Sequence, residues 1–500
     1  MTARSSVEAV FARRRAGVLL HPTALPGDYG KLGHTARRFI DFLQQAGMSV
    51  WQTLPTGPTH QNRSPYQTLS AHAGNPEFID LQELPATGLL KNEELTFATR
   101  TELLDRATTR FLTDEYTPDG CINRDHWEQF LALHQTWLDD FALFVVIRDC
   151  YPDTSWPDWP EPLRRREQGA LVEFRHQHHD AIAQIKFEQF IFHCQWSNLR
   201  RYAHDHGVLL FGDIPIFVAH DSADVWANPQ LFKLDEDGHP MVVAGVPPDY
   251  FSEDGQHWGN PLYDWNAMAH DHFKWWLERL ASQREQFDLL RIDHFRGLQA
   301  FWEIPADHPQ PVNGYWVRGP GDDFLKACLE ELPDLPLVAE NLGLISEDVE
   351  QLRHRFGLPG MTVLQFGFDG SPDNPHLLHN HRHEDLVYTG THDNDTTLGW
   401  YLSLDDHTRH YLHRYLRIPY TEQKDMPWPI IQAALGSVSV LAILPMQDLL
   451  GLGSDARFNT PGTMENNWLW KLPEDAQNLA DVARIRELLK LYGRCSNYDQ

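Results

Sequence analysis

Short apolar runs that end in polar residues recur along the chain. In order they cover residues 16–20 (before His21), 49–54 (before Pro55), 208–212 (before Asp213) and 287–292 (before Asp293). A second group covers 335–339 (before Glu340), 361–366, 386–389 (shortly before His392 and Asp393) and 438–444 (shortly before Gln447 and Asp448). Runs of this length, separated by helical-period or long irregular segments, predict eight parallel strands. Eight such units fit an α/β fold of the (β/α)8 TIM-barrel type, whose chemistry sits at the C-terminal ends of the strands.

The stretch between residues 54 and 208 is far longer than one crossover needs. Residues 125–150 carry Trp127, Phe130, Leu131, Leu133, Trp137, Leu138, Phe141, Phe144 and Val145 at roughly helical spacing, which predicts a helix with Asp125 as its N-cap. A second helix is predicted over 186–204, with Phe187, Phe190, Ile191, Trp196, Leu199 and Tyr202 on it. Both aromatic stripes read as packing rather than as ligand platforms. Residues 151–162, rich in Pro and Trp, read as a loop between helical parts. Residues 214–265, rich in Pro, Gly and Asp, read as a long irregular lid or binding loop. The expected organisation is one catalytic barrel over residues 1–500, with a mostly helical insertion at 77–190 and a lid or cleft-loop segment at 214–270.

Composition then removes several classes of function. With 500 residues, 42% hydrophobic and 22% charged, the chain can bury a large core and is not globally disordered. The balance of 42 basic against 70 acidic residues gives a net charge of −28. So acidic a surface repels phosphate backbones and anionic lipids, so no nucleic acid and no membrane is expected as a partner. No run of about 18 apolar residues predicts a membrane span. Five cysteines (Cys121, Cys150, Cys194, Cys328, Cys495) are odd in number and widely spaced. They read neither as a disulfide framework nor as a thiolate zinc site, and a reducing, cytoplasmic location is expected.

Candidate chemistry concentrates at the strand ends. In LLRIDHFRGL (289–298) a buried strand delivers Asp293, with Arg291 two residues earlier on the same side. A guanidinium there keeps a carboxylate ionised, as a nucleophile requires; a purely structural Arg–Asp ion pair is the plainer alternative. Glu340 ends the strand in LPLVAENLG, where partial desolvation raises a carboxyl toward general acid/base work; an ordinary strand-end Glu is the alternative. In VYTGTHDNDTTLGW (387–400), Thr389, Thr391, His392, Asp393, Asn394 and Asp395 crowd one strand end. They suit either a helix cap or a grip on sugar hydroxyls. Two carboxyl groups flanking one bond are the apparatus of retaining glycoside transfer, and a third can stabilise its oxocarbenium-like transition state.

At this point the chain resembles glycoside hydrolase family 77, the 4-α-glucanotransferases. The likeness begins with GVLLHPTALPGDYG (17–30), VWQTLPTGPT (50–59) and SPYQTLSAHAGNP (64–76). It continues through FGDIPIFVAHDSADVWANPQLF (211–232), GVPPDYFSEDGQHWGNPLYDW (245–265), the three carboxylate segments and FNTPGTMENNWLWKL (458–472). The resemblance implies transfer of α-1,4-glucan segments between maltodextrins, from starch- or glycogen-derived glucans, with glucose as an acceptor and no cofactor or metal.

It also implies roles: Asp293 as nucleophile, Glu340 as general acid/base and Asp393, rather than Asp395, as transition-state stabiliser. Arg291, His392, His294, Ser64, Tyr66, Asp249, Gln256, Trp258, Asn260, Asn459 and Pro461 become substrate contacts, and Asp213 a substrate-orienting acid. Two departures from the family pattern stand out. His60-Gln61-Asn62-Arg63 replaces a Gly-Tyr-Gly-Asp-like turn. Asn466-Asn467-Trp468, with Lys471, replaces Gly-Asn-Trp followed by Arg, and the lost Gly is expected to bear on backbone conformation. A hydrolase on the same scaffold, or a glucan-binding protein without turnover, are the rival readings.

Overall fold

The apolar runs fold into a ring. A computed structural model describes residues 10–27, 30–248, 254–333, 335–418, 425–463, 465–476 and 480–496. Among them, twelve strands form two sheets. In chain order they are β1 (Arg15–Leu19), β2 (Val50–Gln52), β3 (Leu209–Pro215), β4 (Val242–Val246), β5 (Gln256–Pro261) and β6 (Leu289–Asp293). The rest are β7 (Ala300–Pro305), β8 (Tyr315–Arg318), β9 (Leu337–Ala339), β10 (Met361–Val363), β11 (Leu386–Tyr388) and β12 (Leu441–Pro445).

The eight predicted runs supply one parallel sheet, in the order β10-β11-β12-β1-β2-β3-β6-β9. The seam between β9 and β10 is bridged by the Ala339 N–H donating to the Pro359 carbonyl at 2.8 Å and by the Met361 N–H donating to Asn341 Oδ1 at 2.7 Å. Helices lie outside the ring, which makes this a (β/α)8 barrel. All residues of β2, β9, β10, β11 and β12 are buried, because both faces of a barrel strand are covered. The approach of β1 to β2 depends on Gly17, where a Cβ would lie 2.5 Å from the Val50 carbonyl oxygen.

Between β2 and β3 run two 27-residue helices, Arg124–Cys150 and His179–Asp205. Trp127, Phe130, Phe187 and Phe190 meet between them with ring centroids 5.3–6.4 Å apart. Leu133 departs from the expected stripe and is exposed. The first helix is capped by Asn123, whose side chain accepts from the His126 N–H, and not by Asp125, which lies inside the first turn; a side chain two residues further out reaches the orphan N–H better. The second helix begins seven residues before the predicted start, because its polar first turns carry little apolar periodicity. The helix Arg124–Cys150 is, among the described residues, the one long and apolar enough to cross a membrane by length and composition alone; half of its most apolar stretch is buried in protein.

Two further expectations are corrected. Cys121 and Cys194 form a disulfide, with Cα atoms 5.5 Å apart and a sequence separation of 73; spacing along the chain carries no trace of a pairing made by helix packing. Residues 214–265 are not wholly irregular. They contain a short helix, Ala223–Ala227, and strands β4 and β5, which join β7 and β8 in an antiparallel sheet of order β5-β4-β7-β8. The partner β7 lies some 40 residues downstream of β5, so no hairpin signal announces it. The predicted loop at 151–162 holds the helical turn Trp156–Asp158 and the start of a second short helix, Glu161–Arg164.

Candidate active site

Register places the first charges. Across β3 and β6, Asp213 sits opposite Arg291 and Pro215 opposite Asp293. Arg291 donates from Nη1 to Asp213 Oδ2 at 2.6 Å and from Nη2 to Asp293 Oδ1 at 2.7 Å. The Tyr66 hydroxyl donates to the same Asp213 oxygen at 2.6 Å. A continuous chain, Tyr66–Asp213–Arg291–Asp293, thus orients the Asp293 carboxylate. Burial alone would lower the Arg291 pKa, but Asp213 and Asp293 outweigh it and hold the guanidinium charged well above its ordinary range. Burial pushes the Tyr66 phenol up, and Asp213 adds to this, so the hydroxyl remains a donor.

Glu340 follows β9. Its two oxygens accept from the Leu342 and His294 backbone N–H groups, both at 2.7 Å. His294 adopts φ +54°, a left-handed conformation unusual for a residue other than Gly, and such strain concentrates at sites the surrounding structure over-determines. The carboxyl of Glu340 is pushed up to about 7, by burial first and by the negative charge of Asp293 next, against the opposing pull of Arg291 and the two N–H groups. Exposure separates the three acids: Glu340 is 8% exposed, whereas the side chains of Asp293 and Asp393 are 28% and 38% exposed. Burial of the neighbouring His294 ring lowers its pKa to about 3, so it is a neutral imidazole.

The third carboxylate, Asp393, lies beyond β11. Its Oδ1 accepts from Asn459 Nδ2 at 2.6 Å and lies 3.3 Å from His392 Nε2. The His392 ring stacks on Tyr66 at 5.2 Å with an interplanar angle of 19°, and burial lowers its pKa despite the opposing pull of Asp393. Asp395 turns away: it accepts from Ser454 Oγ at 2.6 Å and the Thr396 N–H at 2.7 Å, beside a separate small cavity that also borders His21 and Phe458. Asp448 accepts from both the Thr389 and Thr397 hydroxyls in a buried cap, a structural role.

Asp293, Glu340 and Asp393 all border one cavity of about 510 Å³. Ser64, Tyr66, Gln256, Trp258, Asn260, Arg291, His294, His392, Asn459 and Pro461 line it as well. Asp213 does not; it is 2% exposed and acts from behind Tyr66 and Arg291. Asp249 lies outside the described residues. The reading of the sequence missed Gln67, Arg296, Trp316, Phe366 and Trp468 on the cavity wall, and met Asn62 only as part of the altered turn at 60–63. Trp316 comes from β8, and the aromatic run YWVR at 315–318 was the available signal.

Both departures from the family pattern find a place. Asn62 borders the cavity and accepts from the Ser64 N–H at 3.0 Å, and Arg63 takes φ +59°. Asn466 takes φ +62°, a left-handed conformation that Asn tolerates better than most side chains other than Gly.

Elsewhere, His134, His193 and Glu285 bring potential metal ligands within 4.8 Å of one another. Trp137 Nε1–H donates to His134 Nδ1 at 3.3 Å. That places the imidazole proton on Nε2, facing Glu285, where a metal ligand needs the opposite tautomer.

The family profile described as 4-alpha-glucanotransferase, glycoside hydrolase family 77, matches residues 20–477. The 4-alpha-glucanotransferase of Thermus thermophilus is 45% identical over 500 residues, covering 95% of this chain and 99% of its own. The chloroplastic/amyloplastic 4-alpha-glucanotransferase of Solanum tuberosum is 43% identical, covering 96% of this chain and 87% of its own. The structure of amylomaltase from Streptococcus agalactiae in complex with acarbose superposes with a TM-score of 0.90 at 35% identity, covering 97% of this chain and 100% of that one.

Proposed function

The chain belongs to glycoside hydrolase family 77, the 4-alpha-glucanotransferases, and from that premise we propose how its cleft performs the transfer. The enzyme moves α-1,4-glucan segments from one maltodextrin to another. Asp293, held by Arg291, attacks the anomeric carbon while Glu340 protonates the departing glycosidic oxygen. A β-glucosyl ester on Asp293 results, and the shortened glucan leaves. The 4-hydroxyl of an incoming maltodextrin, or of glucose, then loses its proton to Glu340 and displaces Asp293. Two inversions retain the α configuration. Asp393, oriented by Asn459, faces the positive charge that develops at the sugar ring.

The observation that carries this reading is the convergence of three carboxyl groups with different environments on one cavity. Arg291 binds one of them, burial keeps the second protonated to about pH 7, and an amide orients the third. Sugar must outcompete water in the second half, and the Tyr66, Trp258 and Trp468 rings on the wall suit acceptor binding energy spent on positioning. Residues 1–500 act as one catalytic unit in this reading, with 77–190 as a helical insertion and 214–270 bordering the cleft. The reading calls for neither nucleic acid nor a membrane as partner, and for a cytoplasmic location.

Maltotriose alone tests it. Glucose plus a ladder of longer maltodextrins, at a constant number of reducing ends, is the expected result. A steady rise in reducing ends would make the protein a hydrolase, and binding without turnover would make it a glucan-binding protein.

A further inference from the structure

We infer that Arg457 is the positioning residue of the third carboxylate, acting on Asp393 through both its main chain and its side-chain partner; this rests on the proposed role of Asp393. Arg457 Nη2–H donates to the Asp393 carbonyl at 2.6 Å, and its Nε–H donates to the Asn459 carbonyl at 2.8 Å. Asn459 in turn donates from Nδ2 to Asp393 Oδ1 at 2.6 Å. The three contacts close a loop: the guanidinium holds two backbone carbonyls, and the residues that own those carbonyls hold each other by their side chains.

Local sequence explains why such a clamp is needed. Asp393 lies in the irregular stretch 389–396, and Asn459 in another, 457–463. No helix or strand ladder fixes either peptide, although they lie 66 residues apart. A rigid, planar guanidinium is the side chain that can bind two carbonyls at a set angle, which an ammonium cannot. Both of these hydrogen bonds commit the guanidinium to main-chain carbonyls. Its body lines the small cavity behind Asp393, beside His392 and Asn394, and not the cleft itself. Its hydrogen bonds place it to act through Asp393 and Asn459. Because Asp393 serves the charge of the transition state, loss of the clamp falls on kcat and leaves ground-state binding unchanged.

The test is a double-mutant cycle of Arg457→Met with Asp393→Asn, read as kcat and KM on maltotriose and on α-maltotriosyl fluoride. Arg457→Met is expected to lower kcat on both donors about 10- to 100-fold, with KM within about twofold. Arg457→Lys, able to keep one carbonyl, should recover part of the loss. In the Asp393→Asn background, Arg457→Met should add nothing, whereas a purely structural role would multiply the two losses. Full multiplicativity, or a kcat for Arg457→Met within twofold of wild type while Asp393→Asn is crippled, overturns the inference and leaves the proposed mechanism standing. Wild-type kcat in Asp393→Asn itself overturns the role of Asp393, and that of Arg457 with it. If Arg457→Met does not fold, Arg457→Lys and Asn459→Ala are read in the same cycle.

Discussion

Ionisation of Glu340 should set the alkaline limit of the reaction. Moving a glutamate from its ordinary 4.5 up to about 7 corresponds to about 3 kcal/mol favouring the protonated form. Burial and the Asp293 charge supply that preference, and Arg291 with the Leu342 and His294 N–H groups oppose it. The sign follows directly: the acid form is present below about 7 and is lost as pH rises through it. For maltotriose, whose leaving sugar must be protonated, kcat/KM should fall about tenfold per pH unit above that point, hence about 100-fold by pH 9. Fluoride needs no proton to leave, so the same enzyme should show no such limb in the first step with α-maltotriosyl fluoride. Glu340→Gln should lose the limb and most activity on maltotriose while still releasing fluoride. Initial rates on both donors from pH 5 to 9, with a stopped-flow fluoride electrode for the second, decide the matter. An equally steep limb with the fluoride donor, or its survival in Glu340→Gln, would show that some other group is the acid.

Further substitutions test the remaining parts. Asp293→Asn should abolish turnover on both donors by several orders of magnitude with an unchanged circular dichroism spectrum; near-normal rates would place the nucleophile elsewhere. Arg291→Met strands the buried Asp213 and leaves Asp293 unheld, so unfolding in denaturant should show a loss of about 3–5 kcal/mol together with loss of activity. Tyr66→Phe removes one donor to Asp213 and should cost about 1–3 kcal/mol, visible as an earlier denaturation midpoint. Gly17→Ala drives a methyl into the Val50 carbonyl, and a melting temperature equal to wild type would contradict the close β1–β2 approach.

The eight barrel strands were readable because a strand covered on both faces is a nearly uninterrupted apolar run, and the polar residue that ends it is also the one facing the cleft. Asp293, Glu340 and Asp393 were visible for the same reason. What stayed hidden depends on contacts distant in sequence. Strand β4 pairs with β7, more than 50 residues on, so the second sheet looked like loop. The Cys121–Cys194 pairing exists only because two segments of the helical region pack together. Arg457 is an ordinary basic residue in a loop until its hydrogen bonds to the Asp393 carbonyl, 64 residues earlier, are seen. Asp213 follows an apolar run like the other acids, yet β3 continues through it to Pro215, and its register against Arg291 sets it behind Tyr66 and away from the cleft wall.

In the proposed mechanism, the sharing of one guanidinium also accounts for how Glu340 would serve as acid and then as base. Arg291 carries a single positive charge and contacts two carboxyl groups, Asp293 and the deeply buried Asp213, which burial pushes up to about 7. A negative charge on Glu340 therefore has to share that cation with Asp293, and the charge of Asp293 is among the causes that hold its proton on. Once Asp293 is esterified by the sugar, that charge is gone, while the two N–H groups that favour the ionised form remain. Glu340, having just given its proton to the leaving glucan, is then more stable as a carboxylate than before and is ready to take the proton of the incoming hydroxyl. Displacement of the ester restores the Asp293 charge and with it the preference of Glu340 for the proton. On that mechanism, the covalent step itself moves the acid between its two roles.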